Sequence, residues 1–450
     1  MQTVKLIYDF ITGFGPSVMM PIIVTLLAMI LGAKFGRALR AGITVGIGFI
    51  GINLVIGLLF QFMGPAAQGM VTNWHVSLTA IDVGWPVAAA IAFGTDIGKV
   101  IFIIGLLVNI IMLVTRLTKT VDIDLWNYWH WAFSGSLVYV VSGSFLLGVV
   151  AAIIHAALSL IIADKTAPRI REYFHWPDIS IPQGFAAMSM LLVWPIIWFF
   201  DRIGFQKQDE EPAESAGKAR KTAPKAAAKK TAETDTAAIR ERFSFFGEPV
   251  LVGLVMGIVI GLLAYVPAGL TLQDMLTKVL QLAMAAAAVM LLLPRMVAIL
   301  MEGLIPLSEQ AREFLQSRFA GRDFYIGMDS ALLIGEPTTL TVGFLLVPIT
   351  LILAMILPGN HMLPFGDLAA TPFFIAMLTP YARGNFWRTL AGGTIIMVLI
   401  MYAGSIWSPV ITATAQSIGY AFPEGHATIT GFANPLAWIL VMLTKLAFGK

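Results

Sequence analysis

No cysteine occurs among the 450 residues, which excludes any disulfide and any reactive thiolate on this chain. Charge is scarce too. Only 12% of residues are Asp, Glu, Lys or Arg, against about 25% in soluble domains, and that excludes an ordinary water-facing surface. The formal net charge of +3 is too small and too dispersed to mark a nucleic-acid binder. The six histidines include no His-x-x-x-His pair, so no metal site is expected. No glycine-rich stretch ends in Gly-Lys-Ser/Thr, which excludes ATP-driven transport by this chain alone. The first apolar stretch runs on without an Ala-x-Ala site, so no cleaved leader is expected. No cofactor motif is found.

What is present is hydrophobic sequence, 58% of the chain, and it is duplicated. Asp82 in Ile81-Asp82-Val83-Gly84 has a counterpart in Asp329 of Gly327-Met328-Asp329-Ser330, and Gly184-Phe185-Ala186 one in Gly431-Phe432-Ala433, both offset by 247. Phe14-Gly15-Pro16 pairs with Phe246-Gly247-Glu248-Pro249, and Ser144-Phe145 with Asn385-Phe386. Internal duplication of an apolar chain is the pattern of a transporter built from two repeats.

Stretches able to cross a bilayer are expected at about 15–33, 41–62, 97–115, 126–142, 145–163, 249–268, 279–300, 333–357, 368–382 and 389–409. Two further apolar stretches are 182–201 and 432–447. Lys34, Arg37 and Arg40 follow the first span, and Arg116 and Lys119 the third. The positive-inside rule therefore puts the N-terminus outside. In the second half the bias flips, as inverted repeats require: Arg312, Arg318 and Arg322 follow its second span, and Arg383 and Arg388 occupy the position of the uncharged Ser142-Gly143-Ser144 turn. Segment 206–242 carries nine Lys/Arg and seven Asp/Glu, with Ile239 its only large apolar residue, and reads as a charged cytoplasmic linker. Parity then makes 182–201 re-entrant, broken at Trp194-Pro195, with a full span as the alternative. Segment 302–322 reads as an amphipathic helix on the cytoplasmic surface, either a docking face or a solvated connector.

The expected architecture is an all-α polytopic membrane protein with 10–11 spans plus re-entrant segments. Its first repeat is 1–205 and its second 243–450.

Ionisable groups at membrane depth are functional candidates by default. Asp82 and Asp329 open two proline-containing polar segments, and Glu336 lies inside the second, in Gly335-Glu336-Pro337. Broken backbone there leaves amides and carbonyls for a polar solute; the bland alternatives are helix caps and an interfacial acid. His130 lies in Trp126-Asn127-Tyr128-Trp129-His130-Trp131, whose aromatics read as an interfacial belt or as a stacking wall for a sugar. Gln183 follows Pro182 and offers a donor and an acceptor to hydroxyls, unless it is only a cap. Asp96 and Lys99 are spaced to pair. Gly46, Gly48, Gly51 and Gly57 suit close helix packing, Asn53 suits a bond across it, and Asp367 mirrors Asp124 as an N-cap.

Several stretches resemble enzyme IIC of the galactitol-type phosphotransferase system: Val45-Gly46-Ile47-Gly48-Phe49-Ile50-Gly51, Asp82-Val83-Gly84-Trp85-Pro86, Trp126-Asn127-Tyr128-Trp129-His130, Ile181-Pro182-Gln183-Gly184, Phe246-Gly247-Glu248-Pro249, and Pro358-Gly359-Asn360 followed by Leu363-Pro364-Phe365-Gly366-Asp367-Leu368. The resemblance implies a homodimer with a V-shaped dimerisation domain (10–62 and 246–300) and a mobile core transport domain (63–205 and 301–450). It implies substrate contacts from Asp82, Gly84, Trp85, Pro86, His130, Gln183 and Asp329, with Glu336 standing where a histidine is expected. It implies cytoplasmic partners, a IIA carrying phosphate on histidine and a IIB carrying it on cysteine, while this chain binds a sugar or polyol and carries no phosphoryl group. The chain departs in reading Val87-Ala88-Ala89-Ala90 where small polar residues are expected, and in the length of its linker.

The leading expectation is thus a polyol-translocating permease of the bacterial inner membrane, contacting lipid and no nucleic acid. The alternatives are a cation-coupled transporter using the same carboxylates and a membrane enzyme acting on a lipid-linked substrate.

Overall fold

The computed structural model describes residues 16–74, 78–122, 124–176, 179–206, 249–318, 324–334, 336–420, 422, 425–429 and 434–448. The linker beyond Gln206, the motif residues 14–15, 246–248 and 431–433, and Gly335 lie outside the described residues.

In chain order the elements are α1 (Pro16–Ile30), α2 (Phe35–Trp74), β1 (Ala80–Asp82), α3 (Trp85–Gly94), α4 (Asp96–Val114), β2 (Thr120–Asp122), α5 (Tyr128–Ser142), α6 (Phe145–Phe174), β3 (Ile179–Ser180) and α7 (Gly184–Arg202). The second half has α8 (Pro249–Tyr265), α9 (Leu272–Arg318), β4 (Tyr325–Gly327), α10 (Ala331–Ile334), α11 (Pro337–Ile356), β5 (Met362–Leu363), α12 (Thr371–Ile375), α13 (Leu378–Tyr381), α14 (Phe386–Gln416), β6 (His426–Thr428) and α15 (Pro435–Phe448). Among the described residues, eight helices are long and apolar enough to cross a membrane: α2, α4, α6, α7, α8, α9, α11 and α14.

Three expectations change. Helix α7 is unbroken through Trp194-Pro195, with length enough to span. The presumed surface helix at 302–322 is, as far as Arg318, the continuation of α9, which keeps Leu304 and Leu307 buried and pairs Glu309 with Arg37 of α2. The presumed span 368–382 is divided into α12 and α13. The Asp96–Lys99 pair is present at 2.7 Å.

Helices α1, α2, α8 and α9 pack against one another. Gly48 and Gly51 are contact points of α2 with α9: a Cβ at Gly48 would lie 2.6 Å from that of Leu300. Gly46 does the same against α1, whereas Gly57 faces open space and Asn53 is exposed. The other helices enclose α3 and α5. Pro86 through Gly94 is buried at every position, and so is Tyr128 through Val138. The Val87-Ala88-Ala89-Ala90 run thereby acquires a reason, since small side chains let α3 be surrounded on all sides.

Two small parallel sheets, absent from the expected all-α picture, tie the halves together. One has the order β5-β1-β6 and the other β2-β4-β3. Each centre strand comes from one half and both its neighbours from the other.

Candidate functional site

Strands β2, β4 and β3 run parallel, so the chain leaves all three at the same edge, where ligands gather in open parallel sheets. After β2 come Asp124 and a 3-10 turn, Leu125–Asn127, that leads into α5. After β4 comes Asp329, and after β3 comes Gln183 at the head of α7. These turns converge on a cavity of about 240 Å³. Its polar lining is Asp124, Asn127, His130, Gln183 and Asp329. Trp85, Trp126, Trp129, Phe185, Phe373 and Phe374 supply aromatic walls, and Met301 closes part of it from α9.

Several of these polar groups are fixed by bonds to the backbone. The carbonyl of Asn127 accepts from His130 Nδ1 at 2.9 Å, so Nδ1 carries the proton and Nε2 is an acceptor. The imidazole stacks on Trp129 with ring centroids 3.7 Å apart. Gln183 Oε1 accepts the Ala186 N–H at 2.9 Å, leaving its amide NH₂ as a donor. Asp329 Oδ1 accepts the Ala331 N–H at 2.6 Å and its carboxylate also receives the Asn127 side chain. Asn127 Oδ1 and Trp129 Nε1 are buried and have no partner among the described residues.

The electrostatics are one-sided, since among the described residues no Lys or Arg lines the cavity. Burial pushes the Asp124 carboxyl up to about 7, with the charge of Asp329 adding to the effect and the Trp126 N–H opposing it. Burial also raises Asp329, against the stabilising Ala331 N–H and Asn127 amide. Behind Asp124, the buried carboxyl of Asp122 lies well above the usual carboxylate range, chiefly from desolvation.

Of the residues expected from the sequence, Trp85, His130, Gln183 and Asp329 meet at this cavity. Asp82, Gly84, Pro86 and Glu336 do not line it. Asp82 is fully buried, and its carboxylate accepts the N–H groups of Gly84, Phe365 and Asp367 at 3.1, 3.2 and 2.9 Å. Gly84 has φ 84° and abuts Gly366, and a Cβ there would lie 3.0 Å from the Gly366 backbone. Glu336 caps α11, accepting the Thr339 N–H at 2.6 Å and the Tyr173 hydroxyl at 3.0 Å. Asp367 caps no turn of its own; it accepts the Trp85 N–H at 2.7 Å instead.

Asp124 and Asn127 were not among the expected contacts. Their signal was two acids, Asp122 and Asp124, between two apolar spans. Fully buried His155 has a supporting place: its Nε2 donates to the Gly184 carbonyl at 3.1 Å while Nδ1 meets the Ser134 hydroxyl at 2.9 Å.

A multi-pass bundle with an aromatic-walled, largely apolar cavity on which a few polar side chains converge has the form of a membrane permease. The sequence profile of the PTS system sugar-specific permease component (EIIC-GAT) matches residues 9–425, and the chain belongs to that family. It is 38% identical over 441 residues to the PTS system galactitol-specific EIIC components of Escherichia coli strain K12 and of Escherichia coli O157:H7, covering 96% of this chain and 90% of each relative. A K12 relative named only as a permease IIC component is 37% identical, covering 98% of this chain and 94% of that protein. The protein is therefore a sugar-type permease component of a phosphotransferase system, working with IIA and IIB components.

Proposed function

We propose that the cavity binds galactitol or a similar polyol, carries it across the cytoplasmic membrane and presents it to phospho-IIB for phosphorylation during uptake. The observation that carries this reading is the set of polar side chains that converge on the aromatic wall: the Asp124 and Asp329 carboxyl groups, His130 Nε2 as an acceptor and the Gln183 amide as a donor. A dry apolar guest would leave such groups unpaired at a cost of about 1–3 kcal/mol each, whereas hydroxyls satisfy donors and acceptors alike. The cavity, of about 240 Å³, has room for a small solute. Trp85, His130, Gln183 and Asp329 are its contacts, joined by Asp124 and Asn127. Asp82, Gly84, Pro86 and Glu336 act by shaping the turns around it.

The strand orders support two structural repeats, 1–205 and 243–450. Exchanging β1 with β4, β2 with β5 and β3 with β6 converts one sheet into the other. With the flipped charge bias this favours inverted repeats, the N-terminus outside and the linker inside. A homodimer through α1, α2, α8 and α9 fits the exposed apolar row Ile43, Ile47, Ile50 and Leu54 on α2, which otherwise faces lipid.

The test is uptake of labelled galactitol and other polyols into membrane vesicles with and without phospho-IIB. Phosphorylated product formed only with phospho-IIB is expected. Free polyol accumulating independently of IIB and released by a protonophore would instead make the chain a cation-coupled carrier. Asp329→Asn is expected to abolish uptake while the protein remains folded.

A further inference from the structure

The cavity has a charge asymmetry that polyol recognition alone does not require. Two carboxyl groups, Asp124 and Asp329, line it from different halves of the chain, and no Lys or Arg among the described residues does. They are close enough for the charge of one to act on the other. The compensating groups are neutral: the Ala331 and Trp126 N–H groups and the Asn127 amide.

The geometry points to Asp124 as a charge-selecting residue: together with Asp329 it makes the cavity accept a neutral polyol and reject anionic relatives, including the phosphorylated product of transport. This rests on the polyol reading above. A hydroxyl can donate to either carboxylate, so a neutral polyol loses nothing by meeting two of them. A sugar acid brings one negative charge and a phosphate monoester about two, into a site where each would meet like charge screened poorly by water. The consequence is directional. The substrate is held until the phosphoryl group arrives, and the same two side chains then expel the product. Asp124, absent from the contacts expected by resemblance, thus serves specificity and release rather than only hydrogen bonding.

The experiment is equilibrium binding of labelled galactitol to the purified full-length protein at pH 8. Unlabelled galactitol, galactonate (the same carbon skeleton with a terminal carboxylate) and a galactitol monophosphate are the competitors. Both anions are expected to compete at least about tenfold more weakly than galactitol, the phosphate most weakly. In Asp124→Asn the ratio of galactonate to galactitol affinity should narrow by about tenfold, and Asp124→Glu should restore it. That ratio is read independently of any general loss of affinity. If Asp124→Asn does not fold, the wild-type competition and the same ratio in Asp329→Asn decide the matter. Galactonate competing as well as galactitol in the wild type overturns this inference and leaves the polyol reading standing. An unchanged ratio in a folded Asp124→Asn overturns it as well. Failure of galactitol and every other neutral polyol to bind overturns the polyol reading, and this inference with it.

Discussion

Asp82 and Asp367, 285 residues apart in sequence, hold each other's turns closed. The Asp367 N–H donates to Asp82 Oδ2 at 2.9 Å, while Asp367 Oδ1 accepts the N–H of Trp85, three residues beyond Asp82, at 2.7 Å. The result pins the start of α3 to the turn after β5 and sets the Trp85 ring at the rim of the cavity. A residue that looked like a substrate ligand thus has its carboxylate committed to the backbone.

Asp82→Ala should therefore act on stability first. It strands three N–H groups, of Gly84, Phe365 and Asp367, in the interior. At about 1–3 kcal/mol for each unpaired group, a loss of roughly 3 kcal/mol or more is expected. Thermal melting in detergent, with expression level alongside, checks this. A normal melting temperature with uptake abolished would return Asp82 to the list of ligands.

His130→Ala removes an acceptor that faces the cavity and one face of the Trp129 stack. Polyol affinity is expected to fall by about ten- to a hundredfold, in line with the loss of one hydrogen bond at a buried site. The melting temperature should change little by comparison. Binding at wild-type strength would show that Nε2 does not meet the substrate.

The carboxyl of Asp124 gives the fold a pH dependence with a definite sign. Its folded value, about 7, is above the ordinary 3.8, so the folded state holds a proton that the unfolded state has released. The stability it contributes is complete below about pH 4 and is lost as pH rises through about 7. Asp124→Asn cannot ionise, so its melting temperature should decline less than that of the wild type between those values. Parallel pH profiles for the two proteins would show that Asp124 titrates normally.

Gly184→Ala tests how closely α7 must approach α5. A Cβ at Gly184 would lie 2.6 Å from the Cβ of His130 and 3.0 Å from His155 Nε2. The head of α7 has to retreat, carrying Gln183 away from the cavity and stretching the His155 bond to the Gly184 carbonyl. Uptake is expected to fall by at least about tenfold with stability reduced by about 1–3 kcal/mol. Unimpaired uptake would mean that the position of Gln183 is not critical.

The membrane character, most span positions and the family resemblance were legible in the order of residues, because long apolar runs and flanking charge are local properties of the chain. Glu336 and Asp82 were ambiguous for an equally local reason. An acid beside a helix breaker looks the same whether its carboxylate faces a guest or a row of backbone N–H groups. The two three-stranded sheets left no trace, since strands of two or three residues are too short to show an alternating pattern. Yet they bring Asp124, Gln183 and Asp329, which lie far apart along the chain, to one edge. Apolar length and charge made this a membrane permease; which carboxylates face the cavity and which hold the turns shut follows from strand pairing between distant segments, where each buried N–H must find its acceptor.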